Sequence, residues 1–289
     1  MNEKILRIKS HAKVNLRLEV LGRRDDGYHL LRMINCDLDL HDELELREHS
    51  SGIFLECDHP ELPADAANLA WKAAEALSKA TQCMKGARIK LKKRIPVAAG
   101  LGGGSSNAAA VLRGLNDLWK LRLSGERLRE IGLGIGADVP YFLYGGPALV
   151  EGIGEKLSPF SIGTGADIAL VNPGYPVSTK AVYEAYDLTL TQRSLHTMFH
   201  RLISTLDDFS GVLRNDLEPV VSEKHPEING MKAVLGRHGA LGSLMSGSGP
   251  TVFGIFRDAD AIDGVVDDCA SRGWRAIKTR LVTGGKNRP

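Results

Sequence analysis

Residues 96–110, PVAAGLGGGSSNAAA, place four glycines and two serines within eleven positions, directly ahead of Val111, Leu112, Leu115, Leu118 and Trp119, whose spacing is that of a helix face. Glycines let a backbone take φ > 0 and approach a ligand closely. The first N–H groups of the following helix lack internal partners and lie at the positive end of its dipole. The combination is an anion cradle, and phosphate is the expected guest. A flexible hinge is the competing reading, and the helix that follows argues against it.

Two common phosphate motifs are excluded by spacing. A Walker A loop requires Gly-Lys-Ser/Thr, but Gly104 is followed by Ser105 and Ser106 with no lysine. A dinucleotide fingerprint starting at Gly100 and Gly102 requires glycine at 105, where serine stands. The loop therefore belongs to another phosphate-binding class.

The 289 residues suffice for two modest domains or one large one, with enough apolar content for a core that needs no covalent staples. A net charge of +2 from interspersed charges argues against a nucleic-acid surface. Lys90, Lys92, Lys93 and Arg94 read as a solvated face or as partners of a bound phosphate. Cys36, Cys57, Cys83 and Cys269 lack metal-ligand spacing and read as free thiols. No apolar run approaches the ~20 residues needed to span a bilayer, and no signal-peptide core opens the chain. The expectation is a soluble cytoplasmic protein with no membrane, nucleic-acid or obligate protein partner.

From Val14 to Val20, apolar Val14, Leu16, Leu18 and Val20 alternate with Lys13, Asn15, Arg17 and Glu19, predicting a half-buried strand with Lys13 and Asn15 on its polar face. After a turn at Asp25–Gly27, strands are expected at Cys36–Leu40, Glu43–Leu46 and Ala87–Ile95, with a helix over Asp65–Thr81. Ser124 caps a helix running to about Leu133, which puts Asp138 at a loop or helix entrance. Glycine and proline thicken over Gly145–Gly165, a candidate domain junction. Beyond it, strands are expected at Asp167–Val171, Ala240–Met245, Thr251–Phe256 and Arg275–Val282, with helices at Thr179–Tyr186, Leu217–Arg237 and Ala259–Ser271. That separation favours an α+β second domain. The segment 246–251, SGSGPT, alone reads as a tight turn, but a cleft between two domains often takes one glycine loop from each.

Three segments carry a family resemblance: 13–31, KVNLRLEVLGRRDDGYHLL; 95–110, IPVAAGLGGGSSNAAA; and 245–253, MSGSGPTVF. They resemble the three motifs of the GHMP small-molecule kinases. Further matches at 136–142 (GADVPYF), 152–157 (GIGEKL) and 172–179 (NPGYPVST) extend the likeness over most of the chain, with 187–235 the weakest stretch. The resemblance implies a two-domain GHMP kinase fold of α+β class. Its N-terminal part, residues 1–158, is a mixed α/β nucleotide-binding domain of the ribosomal protein S5 domain 2-like type. Its C-terminal part, residues 159–289, is a ferredoxin-like α+β domain, and the active site lies in the cleft between them.

What the resemblance implies about chemistry is an ATP-dependent transfer to an alcohol on a small molecule bearing a cytidine diphosphate moiety. Asp138 matches the catalytic base and Lys13 its partner, whose ammonium holds the aspartate ionised and stabilises the transferring phosphoryl group. Without the family, Lys13 reads as a solvated strand lysine and Asp138 as a helix cap. Asn68 and Lys93 match adenine-proximal positions, although Ala67 stands where the family has aspartate. Pro96, Val97, Ala98, Ala99, Gly100, Leu101, Gly102, Gly103, Gly104, Ser105 and Ser106 wrap the phosphates. Mg accompanies ATP without a dedicated protein site, reached by the Ser105 or Ser106 hydroxyl. Tyr28 and His29 read the cytosine, Asn15 and Thr179 contact the substrate's polar middle, Tyr175 or Tyr183 covers the ring, and Gly247 and Ser248 complete the substrate side. A mevalonate- or homoserine-type GHMP kinase and a non-catalytic nucleotide-binding regulator are the alternatives. Tyr28 and His29 oppose the first, because those substrates have no base to stack; Lys13 with Asp138 opposes the second.

Overall fold

A computed structural model describes residues 4–186 and 202–283; the remainder of the weakly matched stretch, 187–201, lies outside the described residues. The chain opens with two long antiparallel strands, β1 (Ile5–Arg23) and β2 (His29–His49), joined by the expected turn. Strand β2 is continuous where two strands were expected. The polar run Asp39, His41, Asp42 and Glu43 reads as a break, yet His11, Ser10 and Lys9 pair across it with His41, Asp42 and Glu43.

Strand β1 departs from simple alternation at a bulge between Asn15 and Arg17, where Leu16 has no Cα partner on β2. Ahead of the bulge, Ala12, Val14 and Leu16 join the cluster containing Ile168, Leu170, Phe253 and Ile255; beyond it, Leu18 and Val20 join the other cluster, with Met33 and Leu46. One extra residue reverses the faces that follow. Lys13 and Asn15 thus share a face with each other but not with Arg17 and Glu19. The strand is also buried on both sides, Lys13, Asn15, Arg17 and Glu19 included, because the second half of the molecule covers the face expected to meet solvent.

Strand β3 (Ile53–Cys57) is followed by α1 (Leu69–Thr81), which starts later than expected because Asn68 is its N-cap, accepting from Ala70 N at 3.0 Å. Strand β4 (Gly86–Lys92) leads into the glycine loop and α2 (Gly103–Leu118). Helix α3 (Gly125–Leu133) begins at the Ser124 cap, whose Oγ accepts from Arg127 N at 3.1 Å. Helix α4 (Val139–Tyr144) follows Asp138, and a hairpin of β5 (Ala148–Gly152) and β6 (Lys156–Pro159) fills much of the expected junction.

Strand β7 (Ser161–Ile162), β8 (Asp167–Asn172), α5 (Thr179–Ala185), β9 (Leu202–Ile203), α6 (Phe209–Val212) and β10 (Arg214–Asn215) come next. The helix expected over 217–237 is two, α7 (Glu218–Lys224) and α8 (Glu227–Arg237), because Pro226 forces His225 out of helical geometry, to φ −130° and ψ 77°. Strands β11 (Gly242–Met245) and β12 (Val252–Phe256), helix α9 (Ala261–Ser271) and β13 (Arg275–Arg280) complete the described chain.

Among the described residues, the first sheet has seven strands, with β10-β1-β2-β4-β3 in order and β5 and β6 attached to β2. The second runs β11-β12-β8-β13, all antiparallel. Numbered within that sheet the order is 4-1-3-2 read from β13, the ferredoxin-like arrangement. Strand β10 returns from the second half to pair in parallel with β1, and Leu38 bridges Leu281 just beyond β13, so two segments of the second half pair with the first two strands. Among the described residues, no helix is long and apolar enough to cross a membrane.

Candidate active site

The glycine loop is built by close approach. A Cβ on Gly100, at φ +74°, would stand 2.1 Å from the carbonyl oxygen of Ser246, and one on Gly102, at φ +69°, would stand 2.9 Å from the Phe142 ring and 3.1 Å from Lys13 Cγ. Gly102 is the N-cap of α2, so Gly103–Ser106 form its first turn rather than preceding it. The second glycine segment meets the first directly: Ser246 Oγ donates to Gly100 O at 2.9 Å. We predict that Gly100→Ala costs about 1–3 kcal/mol of loop strain and sharply weakens ATP binding, since the atom a Cβ would strike is backbone; thermal unfolding and calorimetric ATP titration check it.

Lys13 arrives at this loop from β1. Its backbone N–H donates to Leu101 O at 3.0 Å, and its side chain is only 5% exposed. Lys13 Nζ donates to Asn15 Oδ1 at 2.6 Å and lies 3.6 Å from Asp138 Oδ2. Asn15 Nδ2 donates in turn to Asn35 Oδ1 at 2.6 Å, which fixes the amide as the lysine's acceptor. Asp138 occupies the cap position of α4, but its side chain makes no cap hydrogen bond. The carboxylate instead faces the ammonium and remains 32% exposed. Tyr183, on α5, stands close enough that, after burial, the Asp138 charge is the next cause raising its phenol above the ordinary range. The phenol therefore stays protonated, a donor beside the carboxylate.

A cleft of about 550 Å³ collects most of the expected residues: Lys13, Asn15, Asn68, Lys93, Pro96–Ser105, Asp138, Thr179, Tyr183, Gly247 and Ser248 all line it. Thr179 Oγ1 and Ser248 Oγ are hydrogen-bonded at 2.7 Å in its wall. Ser106 is buried in α2 and is not part of the lining. Tyr28 and His29 are not part of the lining, and His29 borders the cleft through Tyr183. Tyr28 is 59% exposed, and the His29 ring lies against Tyr183 with centroids 4.9 Å apart. Burial, then Arg23, lowers the His29 pKa and favours the neutral ring. Tyr175 also lies outside the lining. Its hydroxyl donates to Glu227 at 3.1 Å, its ring stacks on His225, and burial with that carboxylate pushes its pKa up to about 12.

Asp42 and Asn107 escape a reading of the sequence, and Asn215 and Asp216, which stand out in it, acquire their roles only in the structure. Asp42, wholly buried, accepts from Arg94 N at 2.7 Å and Ile95 N at 2.9 Å, pinning the start of the glycine loop. Its other oxygen takes Lys93 Nζ and, at 2.9 Å, Asn107 Nδ2, and Asn107 also donates to Ser10 at 2.6 Å. Lys93 is thus a buried ion-pair partner beneath the loop rather than part of a solvated basic face. Asp42→Ala leaves that ammonium unpaired, and we predict a loss of about 3–5 kcal/mol in stability, read by denaturant unfolding. Asn215 holds the second loop, donating to Met245 O and Gly247 O, each at 2.8 Å, while Asp216 accepts from Val20 N at 3.1 Å. Asp65 compensates for Ala67: its side chain accepts from Ala67 N at 2.8 Å and its carbonyl from Asn68 N at 3.0 Å, holding the turn that presents Asn68.

Two family models match the chain, the GHMP kinases N terminal domain over residues 68–146 and the GHMP kinases C terminal domain over 191–274. With the mixed α/β fold and its glycine-walled cleft, this makes the chain a member of the GHMP kinases, ATP-using small-molecule phosphotransferases. Its relatives narrow the membership. It is 47% identical over 281 residues to the 4-diphosphocytidyl-2-C-methyl-D-erythritol kinase of Citrifermentans bemidjiense, covering 96% of this chain and 100% of that one. The same-named protein of Geobacter sulfurreducens is 46% identical over 280 residues, covering 96% and 100%. A crystal structure of 4-(cytidine 5'-diphospho)-2C-methyl-D-erythritol kinase superposes with a TM-score of 0.81 at 34% identity, covering 96% and 100%. The chain belongs to the 4-diphosphocytidyl-2-C-methyl-D-erythritol kinase family.

Proposed function

We propose that the protein transfers the γ-phosphoryl group of ATP to the 2-hydroxyl of 4-diphosphocytidyl-2-C-methyl-D-erythritol, a step of the methylerythritol phosphate route to isoprenoids. The observation that carries the reading is the Lys13–Asp138 pair, 3.6 Å apart at the wall of the glycine-loop cleft. Asp138 takes the hydroxyl proton as the oxygen attacks phosphorus, which a neutral alcohol does poorly. Lys13, held by Asn15, offsets the negative charge on the aspartate and on the phosphoryl oxygens in flight.

The phosphates lie along Gly100–Ser105 at the N-terminus of α2, with the adenine toward Asn68 and Leu69. Asp138 is the one carboxylate among the described lining residues and already faces Lys13, so Mg²⁺ fits as a companion of the nucleotide rather than as a resident ion. When bound it neutralises charge across the phosphate oxygens, and Ser105 is the lining hydroxyl that would hold it; the burial of Ser106 argues against the second serine. Division of the chain at 158/159 gives one part the ATP and leaves α5 and the 246–251 turn to close over the acceptor.

On the cytidine side, Tyr28 offers an open ring, and His29 is steadied by Tyr183. Base stacking is worth about 1–3 kcal/mol, so Tyr28→Ala should raise KM for the cytidyl substrate by about 5- to 150-fold. KM for ATP should not move, and steady-state kinetics with each substrate varied in turn separates the two. The activity itself is tested by ADP release: acceptor-dependent ADP is expected with the cytidyl alcohol and not with mevalonate or homoserine. No ADP from protein that binds ATP would sink the assignment.

A further inference from the structure

We propose that His11, Asp39 and His41 form a binding site for a divalent transition metal, separate from the nucleotide cleft. His11 on β1 and His41 on β2 are direct partners across the antiparallel pair, with ring centroids 5.3 Å apart. Asp39 lies two residues before His41 on the same strand, within the stretch where the β1–β2 register shifts. One ligand atom from each of the three lies within 4.8 Å of the others.

Both imidazoles are oriented by backbone. His11 Nδ1 is 2.7 Å from Leu38 O, and His41 Nδ1 is 2.6 Å from Asp39 O. A carbonyl oxygen only accepts, so each Nδ1 carries the proton, and in the neutral ring the lone pair sits on Nε2. A backbone acceptor on the second nitrogen is the arrangement that fixes the tautomer of metal-ligating histidines and raises their basicity. Two imidazoles and a carboxylate suit Zn²⁺, Co²⁺, Ni²⁺ or Cu²⁺, with water completing the sphere, whereas Mg²⁺ and Ca²⁺ prefer oxygen ligands. Tetrahedral bonds of ~2.0 Å put ligand atoms roughly 3.3 Å apart. Metal binding therefore requires the three ligand atoms, now within 4.8 Å of one another, to draw together, and the Asp39 side chain is exposed.

The site bridges β1 and β2 where the functional residues leave them. A register shift separates His11 from Lys13, and His41 immediately precedes Asp42. A metal there cross-links the two strands that aim the catalytic lysine and anchor the glycine loop.

The test is titration of chelator-treated full-length protein with CoCl₂, followed by visible absorption, and with ZnCl₂, followed by calorimetry and thermal unfolding. One equivalent of metal should bind the wild type and raise its Tm. His11→Gln and His41→Gln should each weaken binding by at least about tenfold and abolish the Tm shift. His49→Gln is the control, since His49 Nδ1 also meets a carbonyl, Ser51 O at 2.7 Å, but its ring packs on Phe54; it should bind like the wild type. Absence of one-to-one binding by the wild type, or binding retained in both His11 and His41 variants, overturns the proposal.

Discussion

Asp138→Asn is expected to lower kcat by about 10²- to 10⁴-fold while leaving ATP affinity unchanged, the range assigned to a positioned general base. The substitution is nearly isosteric, and Asp138 makes no cap hydrogen bond to α4, so no cap hydrogen bond is lost when the charge goes. In the proposed mode ATP is held by the glycine loop, on elements other than α4. What disappears is the acceptor for the alcohol's proton. Single-turnover ADP formation, with calorimetric ATP binding as a companion, separates this outcome from a folding defect; a variant of near-normal rate would put the proton acceptor elsewhere.

Lys13→Met is expected to lose about 10²- to 10³-fold in kcat, on the scale of removing one preorganised donor from a transition state. The aliphatic stem is kept, and with it the packing against Gly102, whose hypothetical Cβ would lie 3.1 Å from Lys13 Cγ. Asn15 then loses its cationic donor and Asp138 its partner at 3.6 Å. Lys13→Arg should not restore the rate, because a planar guanidinium on a differently jointed stem cannot occupy a point enclosed by Asn15, Asp138 and the glycine turn. Restoration of wild-type kcat by arginine would show that charge alone, rather than placement, is what the site requires.

The two glycine segments, the Ser124 cap and the common face of Lys13 and Asn15 were legible in the sequence because each is local, read from turn chemistry or from period within a few residues. The bulge at Leu16 was not. One inserted residue preserves the hydrophobic alternation while turning Arg17 and Glu19 to the opposite face, and the sequence carries no mark of it. The supports of the site were hidden for a different reason. Asp42, Lys93 and Asn107 are separated by 51 and 14 residues, and only the pairing of β1, β2 and β4 brings the carboxylate under the loop. Within the weakly matched stretch only the segment Asn215-Asp216-Leu217-Glu218 stands out in the sequence, and it carries no role there until β10 returns to β1 and brings the Asn215 amide to the second glycine turn. Asp138 illustrates the converse: its helix-cap position was legible, whereas its freedom from capping, which leaves the carboxylate for chemistry, required coordinates.

The central claim is that Asp138 receives the proton of the acceptor hydroxyl within the glycine-loop cleft. The most direct measurement is the distance from the Asp138 carboxylate to the 2-hydroxyl in a ternary complex with the cytidyl alcohol and a non-hydrolysable ATP analogue. The expected result is a direct hydrogen bond of about 2.6–3.2 Å, with Lys13 beside it. A hydroxyl hydrogen-bonded to a different base, with Asp138 out of reach, would contradict it.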